Sequence, residues 1–183
     1  MKKILKFLLF TLALTSLAFA QNFPKAEVSA GYSYMNQSFS VPFSASASNG
    51  IDGSFTYNLS PMFGIKAGVS DYFAGSSKVL SGNQFIFAVG PVVKYRASKF
   101  QPFGEALIGV AHDSYSGFAN GGQSAFATVL GGGLDIVLSK SFTLRAAEVD
   151  YVLTNYAGVN DKGFYFNSSQ NNVKIGTGLV FTF

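Results

Sequence analysis

His112 is the only histidine in the chain, and it stands two residues before Ser114. On an extended strand that spacing puts both side chains on one face. An imidazole beside a serine hydroxyl is the core of a nucleophilic site, provided that a carboxylate orients the imidazole. The next apolar segment, Ser124–Leu138, has Asp135 as its only acid. Alternation turns Asp135 inward and puts it near the opposite end, so the third member is missing. No catalytic residue is expected, and the chain reads as a non-enzyme. A lone histidine cannot build a multi-histidine metal site. With no cysteine, thiol chemistry and thiolate metal sites are excluded as well. No helix follows Gly131-Gly132-Gly133, so those glycines are not a phosphate loop. Neither a metal nor a cofactor is expected.

The other available chemistry is charge pairing. Lys66, Lys94, Glu105, Asp135 and Arg145 each fall a few residues from a short turn, on the less apolar face of their segments. Glu148 and Asp150 lie further along, with Lys174; Glu27 and Asp52 share the same face. A buried charge needs a partner, and this set has both signs. Asp135 and Arg145 flank one hairpin and are expected as cross-strand neighbours. The set reads as a structural network that closes an interior. A gate that rearranges to pass ions is the sharper alternative. Small residues on this face, among them Ser29, Gly31, Gly68, Gly131 and Gly176, leave either water-filled space or room for long lysine and arginine side chains.

These faces exist because the chain alternates with period two. The clearest case is Asn172–Phe183. Val173, Ile175, Thr177, Leu179, Phe181 and Phe183 take one side; Asn172, Lys174, Gly176, Gly178, Val180 and Thr182 take the other. An apolar strand like this, left at an open edge, would aggregate. In a closed barrel it has a partner on each side. The same pattern predicts strands over Ala26–Met35, Ile51–Leu59, Met62–Ser70, Gln84–Tyr95, Phe100–His112, Ser124–Leu138 and Phe142–Leu153. Pro91 suggests a bulge in the fourth. In the seventh, parity slips near Ala146-Ala147, as a β-bulge would make it do. Long stretches (Asn36–Gly50, Asp71–Asn83, Asp113–Gln123, Thr154–Asn171) alternate with short turns at Ser60-Pro61, Arg96–Lys99 and Ser139–Ser141. The predicted fold is all-β: an eight-stranded antiparallel up-and-down transmembrane β-barrel. Outward aromatics fall near strand ends, as girdles do. Tyr57, Phe63, Tyr95, Phe142 and Phe183 lie at the short-turn end, and Tyr34, Phe85, Phe126 and Tyr151 at the other.

Composition agrees. Hydrophobic residues make up 48% and charged residues 12%, about half the charge content usual in a soluble domain. Residues 1–20 read as a cleaved signal peptide: Lys2, Lys3 and Lys6, then the apolar run Phe7–Leu17, then Ala18-Phe19-Ala20. Three of the charges behind the formal net charge of +4 belong to that leader. The basic balance is therefore no argument for nucleic acid. Residues 21–183 form one expected domain. An exported, apolar chain with no long helical span points to a bacterial outer membrane.

With strands and loops laid out, residues 25–183 resemble the OmpA/OmpX-type eight-stranded outer-membrane barrels. The most specific element is the closing Gly178-Leu179-Val180-Phe181-Thr182-Phe183. It is similar to the assembly signal of that family: Gly178, then aromatic Phe181, then terminal aromatic Phe183. Gly176 stands where the family prefers a polar residue. The resemblance implies outer-membrane lipid and the outer-membrane insertion machinery as partners. It also implies a structural or surface-interaction, adhesion-like role through four extracellular loops, from a barrel read as monomeric. What the loops bind is left open. A narrow passive pore is the first alternative. The His112-x-Ser114 spacing also resembles that of lipid A deacylase barrels, which makes a lipid A-modifying enzyme the second.

Overall fold

The computed structural model describes residues 23–37, 46–74, 80–117, 121–159 and 165–183; the expected leader, residues 1–20, lies outside them. Eight strands follow one another: β1 (Ala26–Gln37), β2 (Ser46–Asn58), β3 (Phe63–Ala74), β4 (Leu80–Lys94), β5 (Phe100–Gly117), β6 (Gly121–Val137), β7 (Phe142–Val159) and β8 (Tyr165–Thr182). Each pairs antiparallel with its neighbours in sequence, and β1 closes the ring against β8. The closing register runs from Glu27 opposite Thr182 to Asn36 opposite Val173. Closure leaves no free sheet edge, which is what so apolar a set of strands requires.

Two of the short turns use the same chemistry. The Ser60 hydroxyl accepts from the Phe63 N–H at 3.0 Å, and the Ser139 hydroxyl accepts from the Phe142 N–H at 3.2 Å. A serine that satisfies the backbone three residues on holds a tight reversal without any side-chain core.

Two expectations are corrected. The strands run further toward the loop side than alternation suggested. Ser46–Gly50, Asp71–Ala74, Asp113–Gly117 and Thr154–Val159 are paired strand, not loop. Serine, asparagine and glycine weaken the sequence signal there, but the ladder needs only their backbone groups. Pro91 does not mark a bulge. The β4–β5 ladder passes from Val89 opposite Ile108 to Val92 opposite Glu105 with its register unchanged. Proline has no N–H to give, so the ladder skips a step instead of gaining a residue.

The slip in β7 is a bulge. Leu134 pairs with Ala147 and the next residue, Asp135, with Arg145; on the other side Arg145 pairs with Gly178 and Glu148 with Gly176. The extra residue resets the alternation. Arg145 and Glu148, three apart, would point to opposite faces of a regular strand. Across the bulge both turn inward, and their side chains meet at 2.8 Å. The Thr177 hydroxyl of β8 donates to the Arg145 carbonyl at 2.9 Å and pins the distortion from the neighbouring strand.

Polarity is inverted relative to a water-soluble domain. Large apolar side chains such as Ile51, Phe55, Ile108, Val110 and Ile175 face outward and are about half exposed or more. The buried set is dominated by polar and charged residues.

Candidate functional site

The lumen is the candidate site. Glu27 at its short-turn end accepts from Lys94 at 2.5 Å, from Arg96 at 2.7 Å and from the Asn58 amide at 2.9 Å. Lys94 also reaches Asp135 at 2.8 Å, and Asp135 accepts from Arg145 at 3.0 Å. Arg145 passes the chain to Glu148, where it branches. On one branch Lys66 joins Glu148, at 3.3 Å, to Glu105, at 2.7 Å. On the other, Lys174 joins Glu148, at 3.2 Å, to Asp150, at 2.9 Å, and to Asp52, at 3.6 Å. Signs alternate along the whole path. Every one of the eight strands contributes a member, so the network ties the ring across its interior.

The residues singled out from sequence, Lys66, Lys94, Glu105, Asp135, Arg145, Glu148 and Asp150, are thus brought into one connected set, with Glu27, Asp52 and Lys174. Arg96 was missed. It sits just past β4 in what reads as a polar turn, yet its guanidinium folds back over the lumen mouth onto Glu27. The signal was available only in the surplus of acids over bases among the inward residues.

Aromatic rings share this space because glycines make room for them. Phe103 of β5 lies opposite Gly133 of β6. A Cβ on Gly133 would come within 2.9 Å of the Phe103 ring. The Arg145 guanidinium stacks 4.3 Å from the centre of that ring, with the Lys66 and Lys94 ammonium groups near 6 Å. Cation–π attraction of this kind holds a charge that is short of water.

Above the network the lumen changes character. Met35, Tyr72, Ile86, Leu107, Val129 and Val152 form one buried apolar cluster, with Ala88, Ala111 and Ala127 between them. Tyr72 also lies against a glycine: a Cβ on Gly50 would sit 2.5 Å from its ring. Beyond the cluster the inward residues are polar again, and Gln84 donates to the Tyr156 hydroxyl at 2.9 Å. Between network and cluster is a cavity with about 40 Å³ open to the centres of water molecules. Ser29, Ser54, Gly68 and Ser70 line it on one side and Lys66, Glu105, Glu148 and Lys174 on another. The small inward residues therefore do both things open to them, leaving space and accommodating long cations. The volume suits two or three waters.

No family model and no curated protein matches the sequence. Solved structures do match. Neisserial surface protein A superposes with a TM-score of 0.70 at 11% identity, over 89% of this chain and 100% of that one. The attachment invasion locus protein Ail of Yersinia pestis gives 0.60 at 14% identity, over 88% of this chain and 100% of that one. The N-terminal barrel domain of Pseudomonas aeruginosa OprF gives 0.52 at 16% identity, over 88% and 100%. The fold is that of the eight-stranded outer-membrane β-barrels. The resemblance seen in the sequence therefore holds at the level of fold.

In this barrel fold His112 and Ser114 both face outward. The His112 Nδ1 is 2.9 Å from the Ser124 hydroxyl on β6, while Asp135 is inside, bound to Lys94 and Arg145. The His–Ser–Asp constellation is not assembled. At the closing strand, Phe181 packs on Phe142 with ring centres 4.7 Å apart, and Phe183 is exposed on the rim. A Cβ on Gly178 would meet the Ala30 carbonyl oxygen at 2.5 Å. Gly178 thus has a packing role in the β1–β8 seam. One further acidic grouping, Glu105, Glu148 and Asp150, brings three carboxylate oxygens within 4.8 Å of one another. Lys66, Arg145 and Lys174 already bind these acids, and a further cation would have to compete with them.

Proposed function

We propose that the protein is an integral barrel of a bacterial outer membrane, with a structural or surface-interaction role carried by its four long loops and a lumen closed by its own side chains. One observation carries the reading: the inversion of polarity. Phe55, Ile108 and Leu130 on the outer face are exposed at 49%, 61% and 51%, while the lumen buries lysine, arginine, aspartate and glutamate. In water this arrangement is unfavourable on both counts. In a bilayer, closed strands leave no backbone group unpaired, and the apolar face meets hydrocarbon. Gly178, Phe181 and Phe183 serve as the signal by which the insertion machinery takes up the chain. The charged network and the apolar cluster above it fill a lumen of the size that side chains fill in barrels of eight strands.

The test is migration of unboiled against boiled protein on a gel, with protease accessibility of the loops on whole cells. A closed membrane barrel runs faster unboiled, and only the long-loop side is cut from outside. Protein that folds in plain buffer, without detergent, overturns the reading.

The cavity between network and cluster favours a narrow pore as a second reading. That reading requires discrete single-channel steps in planar bilayers, and a record at background removes it.

A further inference from the structure

Charge at the short-turn rim is one-sided. Lys25 leads into β1, Lys99 sits in the β4–β5 turn and Lys140 in the β6–β7 turn, and all three are exposed. Among the described residues no acidic side chain is exposed there: Glu27 and Asp135 are turned into the lumen, at 3% and 0% exposure. The three lysines are placed by the sheet. The Lys25 N–H donates to the Phe183 carbonyl at 2.8 Å, and the Lys99 carbonyl accepts from the Val137 N–H at 2.9 Å. The Lys140 carbonyl accepts from the Thr182 hydroxyl at 3.0 Å. Around the ring they mark an arc from β1 through β8 to β4. At about 4.8 Å per strand, successive lysines stand roughly 10 Å apart. The uncharged β2–β3 turn interrupts the rim.

The height of these lysines is also fixed. The Lys25 ammonium is 4.4 Å from the Phe23 ring centre and that of Lys99 is 5.9 Å from the Phe100 ring centre. Lys140 lies two residues before Phe142, a ring that is 45% exposed on the outer face. An aromatic ring in the interface with an ammonium over its face is at home in the headgroup layer. The opposite end is different. Among the described residues the outward face there carries Asp71 and no lysine or arginine.

We propose that the short-turn rim is a binding surface for the phosphates of anionic phospholipids, giving the barrel a preference for them over zwitterionic lipids in the leaflet that meets those turns. The inference rests on the membrane-barrel reading above. Each lysine favours an anionic headgroup beside it roughly fivefold at low salt; averaged over the lipids around the barrel this is a severalfold preference, and screening removes most of it at high salt.

The experiment uses the protein refolded into phosphatidylcholine vesicles carrying spin-labelled phosphatidylglycerol or spin-labelled phosphatidylcholine. Electron paramagnetic resonance reads how strongly each label associates with the barrel surface. The expected result is a severalfold preference for phosphatidylglycerol at low salt, reduced in 1 M sodium chloride. It falls toward parity in the triple variant Lys25→Gln, Lys99→Gln, Lys140→Gln, partially in each single variant, and is kept when the three are replaced by arginine. Equal association of the two labels with the wild type, or a preference unchanged in the glutamine variants, overturns the proposal. So does cosedimentation with purified peptidoglycan that the glutamine variants lose while lipid preference stays flat, since the rim would then serve a wall polymer. Gel migration of the same samples reports barrel closure separately. A chain that never enters the bilayer refutes the membrane reading, while a closed barrel without lipid preference refutes only this one.

Discussion

Toward the short turns the lumen is filled with charge; toward the long loops it is filled with Met35, Tyr72, Ile86, Leu107, Val129 and Val152. Both halves solve the same problem, because a closed ring of eight strands leaves an interior that side chains must occupy. They solve it with different consequences. Apolar packing is non-directional and tolerates exchange of one shape for a similar one. The charged half is directional: each lysine or arginine has to end on a specific acid across the barrel. Removing one member strands its partner away from water. The charged half therefore specifies which strands face each other, and the apolar half fills the space above.

The largest way to break this contrast is to reverse a sign at the centre of the network. Glu148→Lys puts a further cation where Lys66, Arg145 and Lys174 converge, at 3.3, 2.8 and 3.2 Å from the carboxylate it replaces. Loss of the closed barrel is expected, read as loss of heat-modifiable migration, and a normal barrel would mean that the charged half does not specify the fold. The bulge is tested separately by deleting Ala146. Arg145 and Glu148 then stand two apart, on one face of a regular strand, so both stay inward and the barrel should still close; loss of closure would show that the bulge does more than reset parity.

Single substitutions come next. Arg145→Ala leaves Asp135 and Glu148 short of a cation and is expected to destabilise the barrel by about 3–5 kcal/mol. Leu107→Ala in the apolar half removes packing only, at about 2–4 kcal/mol, graded by the cavity it leaves. Urea unfolding of refolded protein in the same lipid measures both. The contrast sharpens with rescue. Leu107→Met should recover most of the loss, because shape and volume are nearly kept. Arg145→Met should not, because Asp135 and Glu148, both buried, each lose one of their cations. Equal rescue in the two halves would show that charge pairing adds nothing specific to the lower one.

The contrast also marks what could be read from the sequence. Period-two alternation is a one-dimensional signal, and it carried the strand count, the inward face and the parity slip at Ala146-Ala147. The hairpin neighbours Asp135 and Arg145 were legible for the same reason, since only a short turn separates them. The apolar cluster was not. Met35, Ile86, Val129 and Val152 look like the outward residues beside them, and only ring closure brings β1, β4, β6 and β7 together around one axis. Tyr72 was hidden differently, in a Ser- and Gly-rich stretch whose composition masks a continuing strand. Arg96 was hidden by its reach, because a long side chain in a turn can return to the lumen.

The smallest expected effect tests how the bulge is held. Thr177 faces away from the lumen, but its hydroxyl donates to the Arg145 carbonyl at 2.9 Å, a carbonyl beside the unpaired residues of the bulge. Valine in its place keeps the β-branched shape and removes only the donor. One neutral hydrogen bond is worth about 1 kcal/mol net, and Thr177→Val should cost about that much in the same urea titration, far below Arg145→Ala. The two sites are also expected to be coupled. If the hydroxyl acts by keeping Arg145 aimed inward, the double variant Thr177→Val, Arg145→Ala should be no less stable than Arg145→Ala alone. Additive losses would instead mean that Thr177 stabilises the backbone of the seam whatever Arg145 does, and the bulge would then owe its geometry to Ala146 and Ala147 alone.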